Sequence, residues 1–364
     1  MTPMQSLHDL GQSLWLDNIT RPLLDSGALA RYIHDFAVTG LTSNPTIFEH
    51  AIGQSEAYDG AIRSKARAGK SGEALFFELA LEDLTRAADL FRAVFDATGG
   101  VDGWVSLEVS PLLAHDAART IAAASKLHAR AARPNLFIKI PGTTQGLVAI
   151  EASIFAGVPV NVTLLFSRAH YVAAAAAYLR GIERRVAAGL DPKVGSVASL
   201  FVSRWDVAAN KSLPQRLNNR LGVAVAGRAW HAYRELLASA RWQKLAAAGA
   251  QAQRLLFAST GAKDPAAPDT LYVEQLAAPG TINTMPENTL KAFADHGQVK
   301  PGLTTESAAA AEAVLTECRA EGINDEALAA QLQREGAEAF ATSWRHLLEG
   351  IADKAARLTE DPTG

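Results

Sequence analysis

The 364-residue sequence has one cysteine, Cys318, and that scarcity excludes two kinds of protein. A single thiol cannot build an internal disulfide framework, and it cannot supply a cage of thiolate ligands for a metal ion. The nine histidines contain no His-x-His or His-Glu-x-x-His spacing, so the sequence shows no motif for a metal centre built from histidines. We expect a protein of a reducing compartment and therefore a cytoplasmic location.

Long apolar runs and a strong excess of one charge are also absent. No apolar segment approaches the ~20 residues that span a bilayer, and residues 1–15 lack the apolar core and basic start of a signal peptide. The 35 basic and 38 acidic residues give a net charge of −3 without a basic cluster. These absences argue against membrane and nucleic-acid partners. The 48% hydrophobic content allows a large core.

What the sequence does contain is an alternation of short apolar runs with longer helical patterns. The candidate strands are residues 13–17, 38–43, 104–109, 136–140, 160–164, 197–202, 254–259 and 281–285. Residues 73–97, 112–131 and 167–188 read as helices. Eight strand–helix alternations without a glycine-rich phosphate turn predict an α/β protein with a single (β/α)8 barrel at about residues 13–300. The alternative is an open doubly wound sheet.

Two helical segments exceed what a simple barrel needs. Residues 206–249 are too long for one return helix and predict a helical insertion. Residues 305–360 predict two C-terminal helices, broken near Gly322, with Asn324 or Asp325 as the cap of the second. This tail could cross the barrel mouth or cover its side. We expect residues 1–364 to form one domain, as a monomer or homodimer.

Lys139 is the most informative residue, because it interrupts the apolar run Leu-Phe-Ile-Lys-Ile at residues 136–140. A lysine in a buried strand needs a charged partner or must lose its proton. A neutral amine is a nucleophile, and a carbonyl group is its natural target. The alternative is a lysine that reaches solvent or pairs with a carboxylate for structural reasons only. The strand alone does not decide between these interpretations.

Residues able to bind or react cluster at or near the ends of seven predicted strands. They are Asp17, Asn44, Glu108, Lys139, Asn161, Thr163, Ser199, Phe201, Arg204 and Lys263. The carboxyl ends of parallel strands meet at one rim of a barrel, and active sites lie there. Packing alone would not place such residues at the same end of seven strands, so the pattern predicts an active site at this rim.

This set of residues can cleave a carbon–carbon bond. The amine of Lys139 would add to a ketone, and Glu108 would act as the general acid that removes water, with a water held by Thr163. The resulting iminium accepts electrons from the breaking bond. Asp17 is the candidate base that takes the proton of the β-hydroxyl group. The residues therefore predict an aldolase-type reaction through a Schiff base.

The remaining residues would bind the substrate. Asn44 and Asn161 can bond sugar hydroxyls without adding charge. Arg204 and Lys263 follow predicted strands six and seven, where barrels often bind a phosphate group.

Each residue also has a plain structural interpretation. Asp17 could cap a helix that begins at residue 18 or 19. Glu108 could be the ion-pair partner of Lys139 without any chemistry, and Thr163 could simply pack. Arg204 could pair with the nearby Asp206.

Three segments resemble the transaldolase family. They are residues 40–48 (Gly-Leu-Thr-Ser-Asn-Pro-Thr-Ile-Phe), 136–147 (Leu-Phe-Ile-Lys-Ile-Pro-Gly-Thr-Thr-Gln-Gly-Leu) and 160–167 (Val-Asn-Val-Thr-Leu-Leu-Phe-Ser). The resemblance covers about residues 14–286 and implies that Lys139 forms the Schiff base. It implies transfer of a dihydroxyacetone unit from sedoheptulose 7-phosphate or fructose 6-phosphate to glyceraldehyde 3-phosphate or erythrose 4-phosphate, in the pentose phosphate pathway. It also implies sugar phosphates as partners and no cofactor or metal.

The chain departs from the best-known branch of this family after strand seven. That branch has an Ala-Ser-Phe-Arg pattern, whereas residues 258–263 here are Ala-Ser-Thr-Gly-Ala-Lys. This resembles the longer bacterial branch and leaves the role of Lys263 less defined than that of Arg204. Leu200 and Ser203 stand where proline and glycine are common, while Ser199, Phe201 and Arg204 keep their places.

Other interpretations compete with a transferase. A related aldolase branch releases free dihydroxyacetone and resembles this chain with glutamine and tyrosine where Glu108 and Phe201 stand here. A non-catalytic sugar-phosphate-binding barrel would have lost Lys139, Glu108 or Asp17. A pyridoxal-phosphate enzyme would need a glycine-rich phosphate cradle. The Gly-Lys-Ser at residues 69–71 fails as a nucleotide loop, because no strand precedes it and its first glycine is missing.

Overall fold

A computed structural model describes residues 2–360 of the chain as a closed barrel of eight parallel strands in sequence order. The strands are β1 (Ser13–Asp17), β2 (Val38–Thr42), β3 (Val105–Glu108), β4 (Leu136–Pro141), β5 (Val160–Leu165), β6 (Ser196–Phe201), β7 (Arg254–Ala258) and β8 (Ile282–Met285). β8 pairs with β1 and closes the barrel. Each strand lies within one residue of a predicted run, so the (β/α)8 prediction is confirmed and the open sheet is wrong.

Sixteen α-helices surround the barrel in the described chain. They are α1 (Pro3–Asp9), α2 (Arg21–Asp25), α3 (Ala28–Asp35), α4 (Pro45–Gly53), α5 (Asp59–Arg67), α6 (Gly72–Ala97), α7 (Ala117–Ala131), α8 (Thr144–Phe155), α9 (Arg168–Ala187), α10 (Ser203–Ala209), α11 (Leu221–Ala238), α12 (Ala240–Ala247), α13 (Leu271–Gln275), α14 (Glu287–His296), α15 (Ser307–Ala320) and α16 (Asp325–Glu360). The single helix predicted at 112–131 is wrong at its start. Asp116 caps α7 by accepting the N–H of Arg119, after a separate 3-10 turn at Pro111–Leu113.

Several strands pass directly into helices through a capping side chain. The side-chain oxygens of Asn44, Thr143 and Ser167 each accept the backbone N–H three residues later. These caps lie two residues after the ends of β2, β4 and β5, and α4, α8 and α9 begin at the next residue. A cap supplies a partner for a helix N–H that would otherwise have none. Some of the polar residues at the rim are therefore also helix caps.

The amino end of the barrel is filled by aromatic side chains. The rings of Trp104 and Phe137 stack with centroids 4.0 Å apart, and Trp15 donates its indole N–H to Asp102 at 2.8 Å. Trp15 occupies the space beside Gly40, where a Cβ atom would lie 2.4 Å from the indole ring. Phe137 precedes Lys139 by two residues on β4. The barrel is therefore plugged on the amino side of Lys139 and can admit a ligand from its carboxyl end.

Helices α15 and α16 form the C-terminal part of the described chain, and α16 crosses the mouth of the barrel. Asn324 is the cap of α16, because its side-chain oxygen accepts the N–H of Ala327 at 3.0 Å. Gln333 of α16 donates to the carbonyl oxygen of Gly142, just after β4, at 3.2 Å and to that of Leu164, near the end of β5, at 2.9 Å. The same helix packs along α4, α5 and α6. Within residues 2–360, none of the helices has the length and apolar character needed to cross a membrane.

Candidate active site

A cavity of ≈ 120 Å³ lies at the carboxyl ends of the strands, under α16. Its wall includes seven of the ten predicted residues, namely Asp17, Asn44, Lys139, Ser199, Phe201, Arg204 and Lys263. The other three, Glu108, Asn161 and Thr163, are buried beside this wall and are at most 6% exposed. The structure thus brings the predicted residues of seven strands to one place.

Lys139 lies at the floor of the cavity between two strands that carry polar partners. In the parallel register its neighbours are Glu108 on β3 and Asn161 on β5. The amine donates to the carbonyl oxygen of Ser43 at 3.0 Å and lies 3.4 Å from Oε2 of Glu108. Only 4% of the residue is exposed. The amine is therefore held by its hydrogen bond to the carbonyl oxygen of Ser43, while its remaining side faces the cavity.

Two carboxyl groups flank this lysine, and burial affects both. Burial raises the pKa of Glu108, and the positive charge of Lys139 opposes the shift. Burial also raises the pKa of Asp17, against the charge of Lys139 and a hydrogen bond from Thr42 at 2.7 Å. A raised pKa favours the protonated form of a carboxyl as a proton donor and makes its ionised form a stronger base. The pair is suited to proton transfer close to a reacting amine.

The helix-cap interpretation of Asp17 is wrong. Helix α2 starts at Arg21, and its cap is Thr20, whose hydroxyl accepts the N–H of Leu23 at 3.1 Å. Asp17 instead accepts the hydroxyl of Thr42 and lines the cavity.

Two buried oxygens beside Lys139 lack a hydrogen-bond partner within residues 2–360. They are Oε2 of Glu108 and the hydroxyl of Thr163. A buried polar atom without a partner is costly and usually marks a place for water or ligand. Because side chains alternate along β5, Thr163 lies on the same face of the strand as Asn161, the register neighbour of Lys139.

The candidate hydroxyl-binding residues are already held in position by other groups. Asn161 donates to the hydroxyl of Ser106 at 3.0 Å and accepts the hydroxyl of Ser199 at 2.7 Å. The side-chain oxygen of Asn44 accepts the N–H of Ile47 at 3.0 Å, which orients its amide group at the cavity wall. These bonds fix the orientation of each polar group before a substrate arrives.

A positive charge marks the far end of the cavity. The guanidinium carbon of Arg204 lies 5.3 Å from the ring centroid of Phe201, and burial lowers the pKa of this arginine. A partly desolvated guanidinium is stabilised by an anion, and a phosphate group matches its geometry. Lys263, on the exposed loop after β7, lines the same cavity.

The suggested pairing of Arg204 with Asp206 is wrong. Asp206 instead accepts the backbone N–H groups of Leu221 and Gly222 at the start of α11, and the hydroxyl of Tyr272 at 2.8 Å.

Thr42, Thr284 and Phe340 are among the residues of the cavity wall that the sequence did not predict as site residues. Thr42 bonds both Asp17 and Thr284 at 2.7 Å, and the rule that polar residues at strand ends belong to the site would have included both threonines. Phe340 of α16 carries no such signal, because it lies in an Ala- and Glu-rich helix whose packing face the sequence does not reveal.

A larger cavity of ≈ 520 Å³ lies away from the barrel mouth, between α11 and α15. Its wall consists largely of alanine, glycine and other small residues, and it also includes Arg220. It lacks the titratable groups that the mouth brings together, and we therefore place the chemistry at the mouth.

The closed parallel barrel and the cavity at its mouth define a (β/α)8 barrel protein whose candidate active site lies at the carboxyl ends of the strands. Residues 14–351 match the family described as "Transaldolase/Fructose-6-phosphate aldolase". The chain belongs to this family.

Bacterial relatives support the same family over nearly the whole chain. The chain is 46% identical to a transaldolase of Thermobifida fusca, over 98% of this chain and 100% of the relative. It is 45% identical to a transaldolase of Saccharopolyspora erythraea, over 96% and 97% of the two chains. It is also 45% identical to "Transaldolase 1" of Streptomyces avermitilis, over 96% and 94%.

Proposed function

We propose that this chain is a transaldolase that transfers a dihydroxyacetone unit from a ketose phosphate to an aldose phosphate through a Schiff base on Lys139. The observation that carries the proposal is the position of the buried amine, 3.4 Å from Glu108 and in the same cavity as Arg204. The names of the relatives agree with a transferase of this kind. The donor would be sedoheptulose 7-phosphate or fructose 6-phosphate, and the acceptor glyceraldehyde 3-phosphate or erythrose 4-phosphate.

In the first half of the reaction the amine of Lys139 adds to the ketone carbon of the donor. Glu108 donates the proton with which the carbinolamine loses water, and a water bonded to Thr163 would relay it. The product is an iminium ion, and the bond that breaks joins the carbons α and β to the iminium carbon. The raised pKa of Glu108 suits this role, because a protonated carboxyl is needed near neutral pH.

In the second half the substrate hydroxyl next to the scissile bond loses its proton to Asp17. The bond breaks, the aldose phosphate leaves, and three carbons remain on Lys139 as an enamine. This enamine then adds to the second aldose phosphate, and Asp17 returns the proton. Water adds to the new iminium, the carbon–nitrogen bond breaks, and the product ketose phosphate leaves the free amine of Lys139. Every step is an addition, an elimination or a proton transfer, so no external oxidant or reductant is required.

The remaining residues position the substrate. Asn44, Asn161 and Ser199 would bond hydroxyl groups of the three-carbon unit, and the internal bonds of Asn161 keep its amide oriented. Arg204 would bind the phosphate group with its planar fork, and Lys263 would add a second positive charge. Phe201 forms the apolar wall beside Arg204.

A fructose-6-phosphate aldolase is the second candidate, because the family description includes both activities. The two enzymes share the Schiff base and differ in the fate of the three-carbon unit. Glu108 and Phe201 favour the transferase, since the aldolase branch resembles this chain with glutamine and tyrosine there.

Borohydride trapping tests the proposal. Reduction in the presence of fructose 6-phosphate should add the mass of the reduced three-carbon unit or of the whole sugar to the peptide that contains Lys139. Lys139→Met should abolish this adduct and turnover while the chain stays folded. In a separate reaction without borohydride, fructose 6-phosphate and erythrose 4-phosphate together should yield sedoheptulose 7-phosphate, whereas an aldolase would release dihydroxyacetone without an acceptor. A wild-type chain that gives no adduct would contradict the Schiff base.

A further inference from the structure

Helix α16 turns one face toward the barrel mouth. Gln333, Gly336, Ala337 and Phe340 follow the i, i+3, i+4, i+7 spacing of a single helical face. Gln333 anchors this face to the ends of β4 and β5 through its two hydrogen bonds. Gly336 marks the closest approach, because a Cβ atom there would lie 3.0 Å from Leu164 and 3.1 Å from the guanidinium of Arg204. The helix is thus fitted closely to the site.

The end of β5 is shaped to receive this helix. Leu164 has a φ of +57°, a left-handed conformation that is strained in a residue other than glycine. The pairing of β5 with β6 shifts register between Val162 and Leu165, around the same residue. The carbonyl of Leu164 accepts the amide of Gln333 at 2.9 Å. The strained residue is therefore one of the two anchoring points of α16.

Phe340 is the side chain that this face places over the cavity. It is 4% exposed and lines the cavity. Its ring centroid lies 5.9 Å from the amine of Lys139 and 5.8 Å from the guanidinium carbon of Arg204. A sugar phosphate bound to Lys139 at one end and to Arg204 at the other would lie against this ring.

We propose that Phe340 is a specificity-determining residue that keeps water from the three-carbon unit while it is bound to Lys139. The inference rests on the proposed function, because it concerns the interval between departure of the first aldose phosphate and arrival of the second. A phenyl ring has no hydrogen-bonding group that could hold a water molecule there. Its face also stabilises a positive charge within about 6 Å, which is the distance of the lysine nitrogen.

The competing reaction is hydrolysis. The enamine takes a proton at its nucleophilic carbon and becomes an iminium ion. Water then adds to the iminium carbon, the carbon–nitrogen bond breaks, and the products are dihydroxyacetone and the free amine of Lys139. Hydrolysis and transfer start from the same intermediate, so their ratio depends on access of water and not on the amount of folded enzyme. Phe340 favours transfer by covering the intermediate.

The test compares Phe340→Ala with wild type and with Leu347→Ala. Leu347 lies seven residues further along α16, is 2% exposed, and serves as the control for loss of a large apolar side chain from this helix. Fructose 6-phosphate is supplied with and without erythrose 4-phosphate, and free dihydroxyacetone and sedoheptulose 7-phosphate are measured. We expect the ratio of release to transfer to rise about tenfold or more in Phe340→Ala.

The ratio should stay near the wild-type value in Leu347→Ala, even if that variant is less stable. Phe340→Leu, which keeps an apolar cover, should fall between wild type and Phe340→Ala. An unchanged ratio in Phe340→Ala, or an equal rise in Leu347→Ala, would overturn the inference. Failure of the proposed function would look different, because wild type itself would then form no adduct on Lys139.

Discussion

Glu108 lies next to Lys139 in the barrel interior, and a carboxyl there could be either a structural ion-pair partner or a proton donor. The distance between Nζ of Lys139 and Oε2 of Glu108 is 3.4 Å, which is longer than that of a strong charge-assisted hydrogen bond. Oε2 of Glu108 has no hydrogen-bond partner within residues 2–360. A carboxyl kept for structure alone would be expected to satisfy both oxygens. The loose contact favours a group that exchanges its proton during the reaction.

Glu108→Gln tests this role. A glutamine keeps the shape and can still form hydrogen bonds, but it cannot deliver a proton, so turnover should fall by roughly 10²–10⁴. Rates of borohydride trapping and of transfer should both decrease. Glu78→Gln is a suitable control, because Glu78 forms an ion pair with Arg130 on the outside of the barrel. Equal trapping rates in wild type and Glu108→Gln would make Glu108 a structural partner of the lysine.

Arg204→Ala should weaken phosphorylated substrates far more than unphosphorylated ones. Loss of a partly desolvated charged contact costs on the order of 2–5 kcal/mol. The measurement is kcat/KM for fructose 6-phosphate and for fructose, in wild type and variant. Lys263→Ala is the companion variant and should have a smaller effect, because Lys263 is exposed and water can replace its charge. A larger effect at Lys263 would reverse the order of the two phosphate ligands.

At this scale the sequence predicted which residues would gather but not how each is bonded. Seven predicted residues line the cavity because parallel strands place their carboxyl ends together. The internal bonds of Asn161 to Ser106 and Ser199 depend on register across three strands. Register is set by packing of the whole barrel, and a single sequence does not carry it explicitly.

At the scale of elements, α16 contains one glycine that is closely packed and another that has free space around it. Gly336 and Gly350 are both inside this helix. A Cβ atom at Gly336 would meet Leu164 and Arg204, whereas nothing lies within 4 Å of one at Gly350. A substitution at Gly336 therefore tests the packing of α16 against the mouth, and one at Gly350 tests the intrinsic stability of the helix.

Gly350→Ala should stabilise the chain by about 0.5–1 kcal/mol, because alanine is the better helix former. Gly336→Ala gains the same propensity but should displace the flexible guanidinium of Arg204, and KM for fructose 6-phosphate should rise. Thermal unfolding and steady-state kinetics on both variants provide the measurements. Should the two variants have the same KM, α16 would not approach Arg204 as closely as the structure indicates.

The element scale also shows what the sequence could not provide. The boundaries of α15 and α16 follow from a glycine, an asparagine cap and helical periodicity, and Asn324 is indeed the cap. The choice between the mouth and the side of the barrel depends on the bonds of Gln333 to two carbonyl groups far away in sequence. Periodicity defines the faces of a helix but not the surface that each face meets.

At the scale of the whole molecule, a buried carboxylate links stability to pH. Burial raises the pKa of Asp206 from 3.8 to about 6, against hydrogen bonds from Tyr272 and from the start of α11. The folded chain therefore holds this proton more tightly than the unfolded chain. The contribution of protonated Asp206 to the free energy of unfolding is complete below pH ~4 and is lost as the pH rises through about 6.

Asp206→Asn removes this titration. The free energy of unfolding of the variant relative to wild type should increase by up to ~3 kcal/mol between pH 4 and pH 7, from a shift of about two units. Urea unfolding of both chains at several pH values measures this difference, and contributions of other groups cancel in it. Parallel stability profiles for the two chains would mean that Asp206 ionises at its ordinary pH.

The distance along the chain between the barrel and α16 has a consequence for biosynthesis. All eight strands are complete at Met285, whereas the anchoring amide and the covering ring are at residues 333 and 340. At roughly 5–20 residues per second, a ribosome needs about 4–15 s to add residues 286–360. A nascent chain can thus carry the lysine and both acids in an uncovered barrel, and full transfer activity should appear only after the last helix has emerged and docked.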